Sequence, residues 1–267
     1  MATLLGNCDD PHIVWECLKA ITLIIPGPRI ANTPEDSIFH PKKYYFRALL
    51  AKEGIIPICL KMLGTKWLEI KKQAILALGM MAHSCIDVRD IIIGLDGINT
   101  IISLVHEDMD MDTARAIAWT LSILAGVTIK GQISPIEESQ VLTLVKIFSW
   151  FLYWRDDIEI LTHSLLGLSY VMPLVELKIE NKDVWERVVK MLTHNGNYVK
   201  RAALNCLGSI ARSNSMQCQY IIENNAIGLA SELLNYNNTQ IRSEVCEFIS
   251  ILANQGYTNV KNIELVH

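Results

Sequence analysis

The sequence predicts an all-α solenoid, a row of stacked helical repeats, and three observations predict it. First, Met111–Gly126 (MDTARAIAWTLSILAG) reads as one amphipathic helix, with Ala114, Ile117, Ala118, Leu121, Leu124 and Ala125 at helical spacing on one stripe. Second, similar segments recur at Lys71–Met81, Glu159–Val171, Lys200–Ile210 and Arg242–Leu252. Aligned on Trp119, the matching residues are Leu76, Leu166, Asn205 and Glu247, in steps of 43, 47, 39 and 42 residues. Third, each segment has a small residue three places after that position: Gly79, Ser122, Ser169, Gly208 and Ser250. A helical unit repeated at this period cannot bury its apolar face alone, so neighbouring units stack into a continuous core.

Composition agrees with a large buried core. The chain has 267 residues, 51% of them hydrophobic, and a formal net charge of −4. Nothing in this balance points to nucleic acid or an anionic membrane. A mean hydropathy of +0.25 is high for a repeat array, which exposes much surface per residue, and reads either as apolar surface that a partner covers or as a thick core. The seven cysteines are scattered and contain no Cys-x-x-Cys pair, which reads as reduced thiols of the cytosol or nucleus. Met1–Pro11 carries Asp9 and Asp10 and no basic n-region, so no secretory signal is expected. The longest apolar run, Val141–Trp154, is interrupted by Lys146 and Ser149 and is too short to span a membrane.

In chain order, His12–Ile25 is a further copy of the long helix, stopped by Pro26-Gly27. A proline-rich surface loop over 26–41 explains the long step of 57 residues from Lys19 to Leu76. Lys42–Leu50 reads as a short helix, Gly54 as a turn, Ile56–Leu63 as a middle helix and Trp67–Met81 as a long one. The rhythm returns with Asp87–Leu95, the turn Asp96-Gly97, Asn99–His106 and Asp110–Ala125. Gly126 is the expected stop of that helix, through a positive φ that glycine adopts freely. After a loop over Gly126–Pro135, Ile136–Phe151 pairs with Asp156–Val171 and Asp183–Leu192 with Tyr198–Ala211. Gln217–Glu223, the turn Asn224-Asn225, Ile227–Leu234 and Thr239–Ala253 complete a last triplet before Gly256. Short–middle–long triplets distinguish armadillo repeats from two-helix repeats. The prediction is therefore a right-handed armadillo-repeat α-solenoid forming a single domain over 1–267. It has a partial first repeat over 12–27, full repeats from about 42 to 256 and a truncated last helix over 257–267.

At these residues the chain resembles importin-α, the armadillo adaptor that carries basic nuclear-localisation peptides. Trp15–Gly27 is similar to the last helix of the family's second repeat. Ile70–Ala82 (IKKQAILALGMMA) with Val88–Ile93 is similar to its third, and Arg115–Gly126 (RAIAWTLSILAG) to its fourth. Phe148–Tyr170 resembles the fifth, and Ala203–Ile210 and Ile241–Ala253 the sixth and seventh. The resemblance implies a ladder on the inner face, in which each long helix offers a Trp and, one turn later, an Asn. The Trp faces flank a Lys or Arg of the ligand, and the Asn amides bond its backbone. Here the Trp positions read Lys19, Leu76, Trp119, Leu166, Asn205 and Glu247, and the Asn positions Leu23, Met80, Ile123, Tyr170, Ser209 and Ile251. Only Trp119 and Tyr170 keep the family's residue type, and Ser84 stands where the family has an aspartate for the principal lysine. The resemblance also implies no importin-β binding, because Met1–Asp10 lacks a basic arm.

The aliphatic replacements point to an apolar groove along the long helices that takes an apolar or amphipathic protein segment, with Trp119 and Tyr170 as anchors. Glu244 and Glu247 read as solvated charges, and Lys42-Lys43, Lys71-Lys72 and Lys200-Arg201 as solvated helix faces. The seven histidines are dispersed, no Cys/His cluster has metal-ligand spacing, and no phosphate loop or nucleophile elbow is present. No catalytic residue, metal or cofactor is expected. Partners are expected to be proteins, not nucleic acid or membrane, in the nucleus, the cytoplasm or both. The function predicted is a protein-binding adaptor or scaffold; the alternative is a nuclear-import adaptor reading cargo through other contacts.

Overall fold

The computed structural model describes residues 8, 10–24, 41–83, 85–126, 136–174, 182–213 and 215–264, and every regular element among them is helical. The expected proline-rich loop over 26–40, most of the Gly126–Pro135 loop, Ser84 and the last residues of the chain lie outside the described residues. In order, the helices are α1 (Pro11–Ile24), α2 (Pro41–Lys52), α3 (Ile55–Met62), α4 (Leu68–Ala82), α5 (Ile86–Gly94), α6 (Gly97–Ile102) and α7 (Met111–Ala125). They continue with α8 (Glu138–Trp154), α9 (Ile158–Val171), α10 (Lys182–Lys190), α11 (Asn197–Ser213), α12 (Ser215–Glu223), α13 (Ala226–Glu232) and α14 (Thr239–Glu264). Short 3₁₀ turns follow α9, α10 and α13.

The chain forms two compact units, Met1–Gln140 and Val141–His267. In the first, the long helices α1, α4 and α7 pack side by side in that order. Leu18, Ile21, Ile75, Leu78, Ile117, Leu121 and Leu124 fill the space among them and their covering helices. All six residues of the predicted stripe on α7 are buried. In the second unit α9, α11 and α14 pack in the same way, around Phe148, Phe151, Leu161, Leu165, Leu207 and Phe248.

Local chemistry sets the helix boundaries. Asp110 caps α7: one carboxylate oxygen accepts from the Thr113 amide at 3.0 Å and the other from its hydroxyl at 2.6 Å. Asp157 caps α9 by accepting from the Glu159 and Ile160 amides. The three predicted turns before α3, α6 and α13 each place one residue at positive φ: Gly54 at 76°, Asp96 at 59° and Asn225 at 61°. Glycine, aspartate and asparagine tolerate the left-handed region best, which is why these types stand there.

Two glycines behave differently from expectation. Gly126 does end α7, but at φ −57° and ψ 154°, so an extended turn and not a left-handed cap stops the helix. The Arg89 side chain, only 4% exposed, secures that exit by donating to the Gly126 carbonyl at 2.5 Å while bonding Asp90. Arg47, equally buried and 42 residues earlier, does the same after α4 by donating to the His83 carbonyl. Gly256 does not end α14, which runs on to Glu264 as one helix in place of the separate short helix expected there. A glycine costs a helix only about 1 kcal/mol, too little to stop one unaided.

Candidate functional site

None of the twelve ladder positions is buried; each is half-buried or exposed, and all but Leu23 stand next to a buried residue. In the first unit they lie on α1, α4 and α7. Leu23 is 72% exposed, and Leu76, Met80, Trp119 and Ile123 are half-buried. Lys19 is folded back over Trp15, one turn earlier, with its ammonium 4.5 Å from the ring centroid, so this rung satisfies itself. A hydrogen bond of 2.7 Å from the Gln73 amide to the Thr22 hydroxyl ties α4 to α1 beside it.

In the second unit Leu166 and Tyr170 lie on α9, Asn205 and Ser209 on α11, and Glu247 and Ile251 on α14. Burial raises the Tyr170 hydroxyl above its ordinary pKa, so it stays a neutral hydrogen-bonding group. The Ser209 hydroxyl donates to the Ser169 carbonyl at 2.7 Å; it joins α11 to α9. Leu166, Asn205, Glu247 and Ile251 line a cleft of about 320 Å³ whose walls also include Tyr198, Arg201, Arg212 and Glu244. A cavity of this size at the junction of three helices is within the range that seats a ligand side chain.

Three charged residues here are less solvated than the sequence suggested, Lys200, Arg201 and Glu244, whereas Glu247 is exposed. The guanidinium of Arg201 contacts Glu244 at 2.7 Å, and Arg212 contacts Glu247 at 2.7 Å. Lys200 is buried, with its ammonium donating to the His194 carbonyl and lying 5.1 Å from the Tyr236 ring centroid. That burial lowers its pKa. Lys72 pairs with Glu69 at 2.9 Å on its own helix. Arg201, Arg212, Thr162 and Tyr198 are among the cleft residues that helix-by-helix reading missed. For Arg201 the signal was a separation near one repeat: Arg201 and Glu244 are 43 residues apart, as neighbours on successive long helices are.

All seven cysteines are free thiols, and Cys59, Cys85, Cys206 and Cys218 are buried. Burial pushes the Cys59 thiol to a pKa of about 12, where it packs as a small apolar group. Among the described residues no group of three His, Cys, Asp or Glu side chains is placed to hold a metal ion. Nor is any described helix long and apolar enough to cross a membrane.

Comparison with known proteins agrees with this architecture. The chain is similar to importin subunit alpha-1b of Oryza sativa subsp. japonica, 28% identical over 242 residues, which are 89% of this chain and 41% of that protein. It is similar to importin subunit alpha-3 of Arabidopsis thaliana, 25% identical over 246 residues, 91% of this chain and 42% of that protein. The chain thus spans about two fifths of the length of the curated relatives it matches. No family profile matches it. A designed armadillo repeat protein in complex with the peptide (KR)4 superposes with a TM-score of 0.72 at 15% identity, over 94% of this chain and 97% of that one. Computationally designed armadillo repeat proteins for modular peptide recognition superpose with a TM-score of 0.71 at 14% identity, over 94% and 97%. The fold is an all-α armadillo-repeat solenoid, and the resemblance to importin-α runs through nearly the whole chain.

Proposed function

We propose that this chain is a non-enzymatic protein-binding adaptor or scaffold related to importin-α, acting in the nucleus, the cytoplasm or both. It engages a protein segment with the ladder face of its long helices. The observation that carries this reading is the accessibility of every ladder position together with its changed chemistry. Leu76, Met80 and Ile123 in the first unit and Leu166 and Ile251 in the second present aliphatic groups where a basic-peptide reader needs Trp and Asn. Trp119 and Tyr170 remain as anchors. Met80 adds a side chain that repacks readily around different ligands.

Each lost Trp or Asn removes a stacking contact or a backbone hydrogen bond, about 1 kcal/mol apiece, so several losses together cost many tenfold steps in affinity for a basic peptide. An apolar or amphipathic segment needs none of these contacts and gains from the aliphatic strip. Fluorescence polarisation with a labelled bipartite basic peptide tests the reading. Binding weaker than micromolar at physiological salt is expected, and submicromolar binding would overturn it in favour of a nuclear-import adaptor. Affinity purification with mass spectrometry, run beside variants in the strip, identifies the partner.

A further inference from the structure

The cleft of the second unit contains an arrangement that the ladder does not use. Glu244 receives both Nε and Nη2 of Arg201 on a single oxygen, Oε1, at 2.8 and 2.7 Å. Its other oxygen, Oε2, is buried with no hydrogen-bond partner. The Thr162 hydroxyl, on α9 in the same cleft, is buried and unpartnered too. Both atoms are closed off from solvent, so the part of this arrangement that faces the cleft is the ion pair and not a free acceptor or hydroxyl. A second pair, Arg212 Nη2 with Glu247 Oε1 at 2.7 Å, is more open, with side chains 51% and 67% exposed against 31% and 28% for Arg201 and Glu244.

Charge complementarity says what that ligand is. Two arginines stand against two glutamates, so the cleft carries no net charge, and each carboxylate already holds a guanidinium. A lysine or arginine entering here meets a like charge in the position it would take. Two features are left for a ligand: the amide of exposed Asn205, and an apolar floor of Leu166, Phe248 and Ile251. An extended peptide backbone answers the first, its N–H donating to the Asn205 amide oxygen and its C=O accepting from the amide nitrogen, while one apolar side chain covers the floor.

We infer that Arg201 is the specificity-determining residue of this cleft, an internal counter-ion that occupies Glu244 and so restricts the cleft to an extended, uncharged peptide segment with an apolar side chain. The inference rests on the groove-binding reading above and names its ligand in this unit. Burial ranks the two pairs: the Arg201–Glu244 pair is the more shielded from solvent and holds, whereas the exposed Arg212–Glu247 pair exchanges with water and masks little.

The test uses the full chain, a labelled octapeptide of alternating Lys and Arg, a labelled octapeptide of Glu, and a displayed library of random octapeptides. Arg201→Gln is expected to gain at least about tenfold in affinity for the Lys-Arg peptide and Arg212→Gln less than about threefold, as expected for a shielded against an exposed pair. The gain should disappear in Arg201→Gln/Glu244→Gln. Library members selected on the parent should be poor in Lys and Arg. Since Arg201→Gln leaves a carboxylate uncompensated and is at risk of unfolding, Glu244→Gln is the second arm: it frees the guanidinium and should gain affinity for the Glu peptide. If circular dichroism shows the variants folded and neither gains affinity, Arg201 is no counter-ion and the inference fails while groove binding stands. Equal gain in the double variant also overturns it, because Glu244 is then not what was unmasked. A library that yields no binder to the parent overturns the groove-binding reading itself, and the proposed ligand with it.

Discussion

Trp119 on α7 lies across Gly79 on α4 so closely that a Cβ at position 79 would stand 2.5 Å from Trp119 Cζ3 and 2.6 Å from Thr120 Oγ1. The indole is half-buried and has some room to move. Thr120 has none, being fully buried with its hydroxyl on the Ile75 carbonyl at 3.1 Å. Helix α7 therefore approaches α4 this closely because residue 79 has no side chain. Gly79→Ala is expected to destabilise the chain by about 1–3 kcal/mol despite the better helix propensity of alanine, as overpacked cores do. Urea unfolding measures this, and a variant as stable as the parent would show that the interface yields.

The same contact explains what was legible in the sequence and what was not. The small residue three after each ladder position was visible, but for Gly79 and Gly208 its reason lies on the next long helix. Gly79 meets Trp119, and a Cβ on Gly208 would meet Ile251 Cδ1 at 3.2 Å. Ser169 instead offers its carbonyl to Ser209, 40 residues on. Periodicity within a helix reports which face is buried and says nothing of the atoms opposite. For that reason α7 and its stripe were predictable, while the Arg201–Glu244 pair and the buried Lys200 were read as solvent-facing. Gly126 and Gly256 teach a second limit. Glycine permits a helix to stop, but the surrounding contacts decide: Arg89 holds the exit at Gly126, and α14 passes straight through Gly256.

Arg89 itself gives the next prediction. Its guanidinium is buried and is committed to the Gly126 carbonyl and to Asp90. Arg89→Met keeps most of the stem but leaves that carbonyl without its charged donor. The expected loss is about 1.5–3 kcal/mol, the range for hydrogen bonds to charged groups. Chemical denaturation should show it, together with faster amide exchange in the last turn of α7. A loss below about 0.5 kcal/mol, typical of a surface change, would mean that water replaces the arginine.

Stability should also depend on pH through His163 on α9. Desolvation by burial lowers its pKa from 6.5 to about 4, so the folded chain keeps the ring neutral. Between those values the unfolded chain binds a proton that the folded chain does not. His163 therefore leaves stability intact above about pH 6.5 and erodes it as pH falls toward 4, by up to about 3 kcal/mol. His163→Gln, which cannot titrate, should lose less stability than the parent between pH 7 and pH 5. Parallel curves for the two proteins across that interval would remove His163 as a contributor.

Ile123 on α7 and Leu166 on α9 test the proposed function most directly. Both are half-buried, whereas Leu124 and Leu165 beside them are fully covered, so each ladder residue borders the core without filling it. An aspartate at a partly open position can turn its carboxylate to water, and Ile123→Asp or Leu166→Asp should cost only about 1 kcal/mol, the ordinary size of a single substitution. For an apolar ligand segment the same change is severe, since it sets a charge against the surface to be buried and should weaken partner binding at least about tenfold. The measurement pairs thermal melts by circular dichroism with pull-down of the partner identified by affinity purification. The expected result is a melting temperature within a few degrees of the parent and a lost partner. If both variants melt like the parent and still hold the partner, the ladder face of the long helices is not the binding surface. If both unfold, Ile123 and Leu166 belong to the core between the helices, and the ladder lies elsewhere on them.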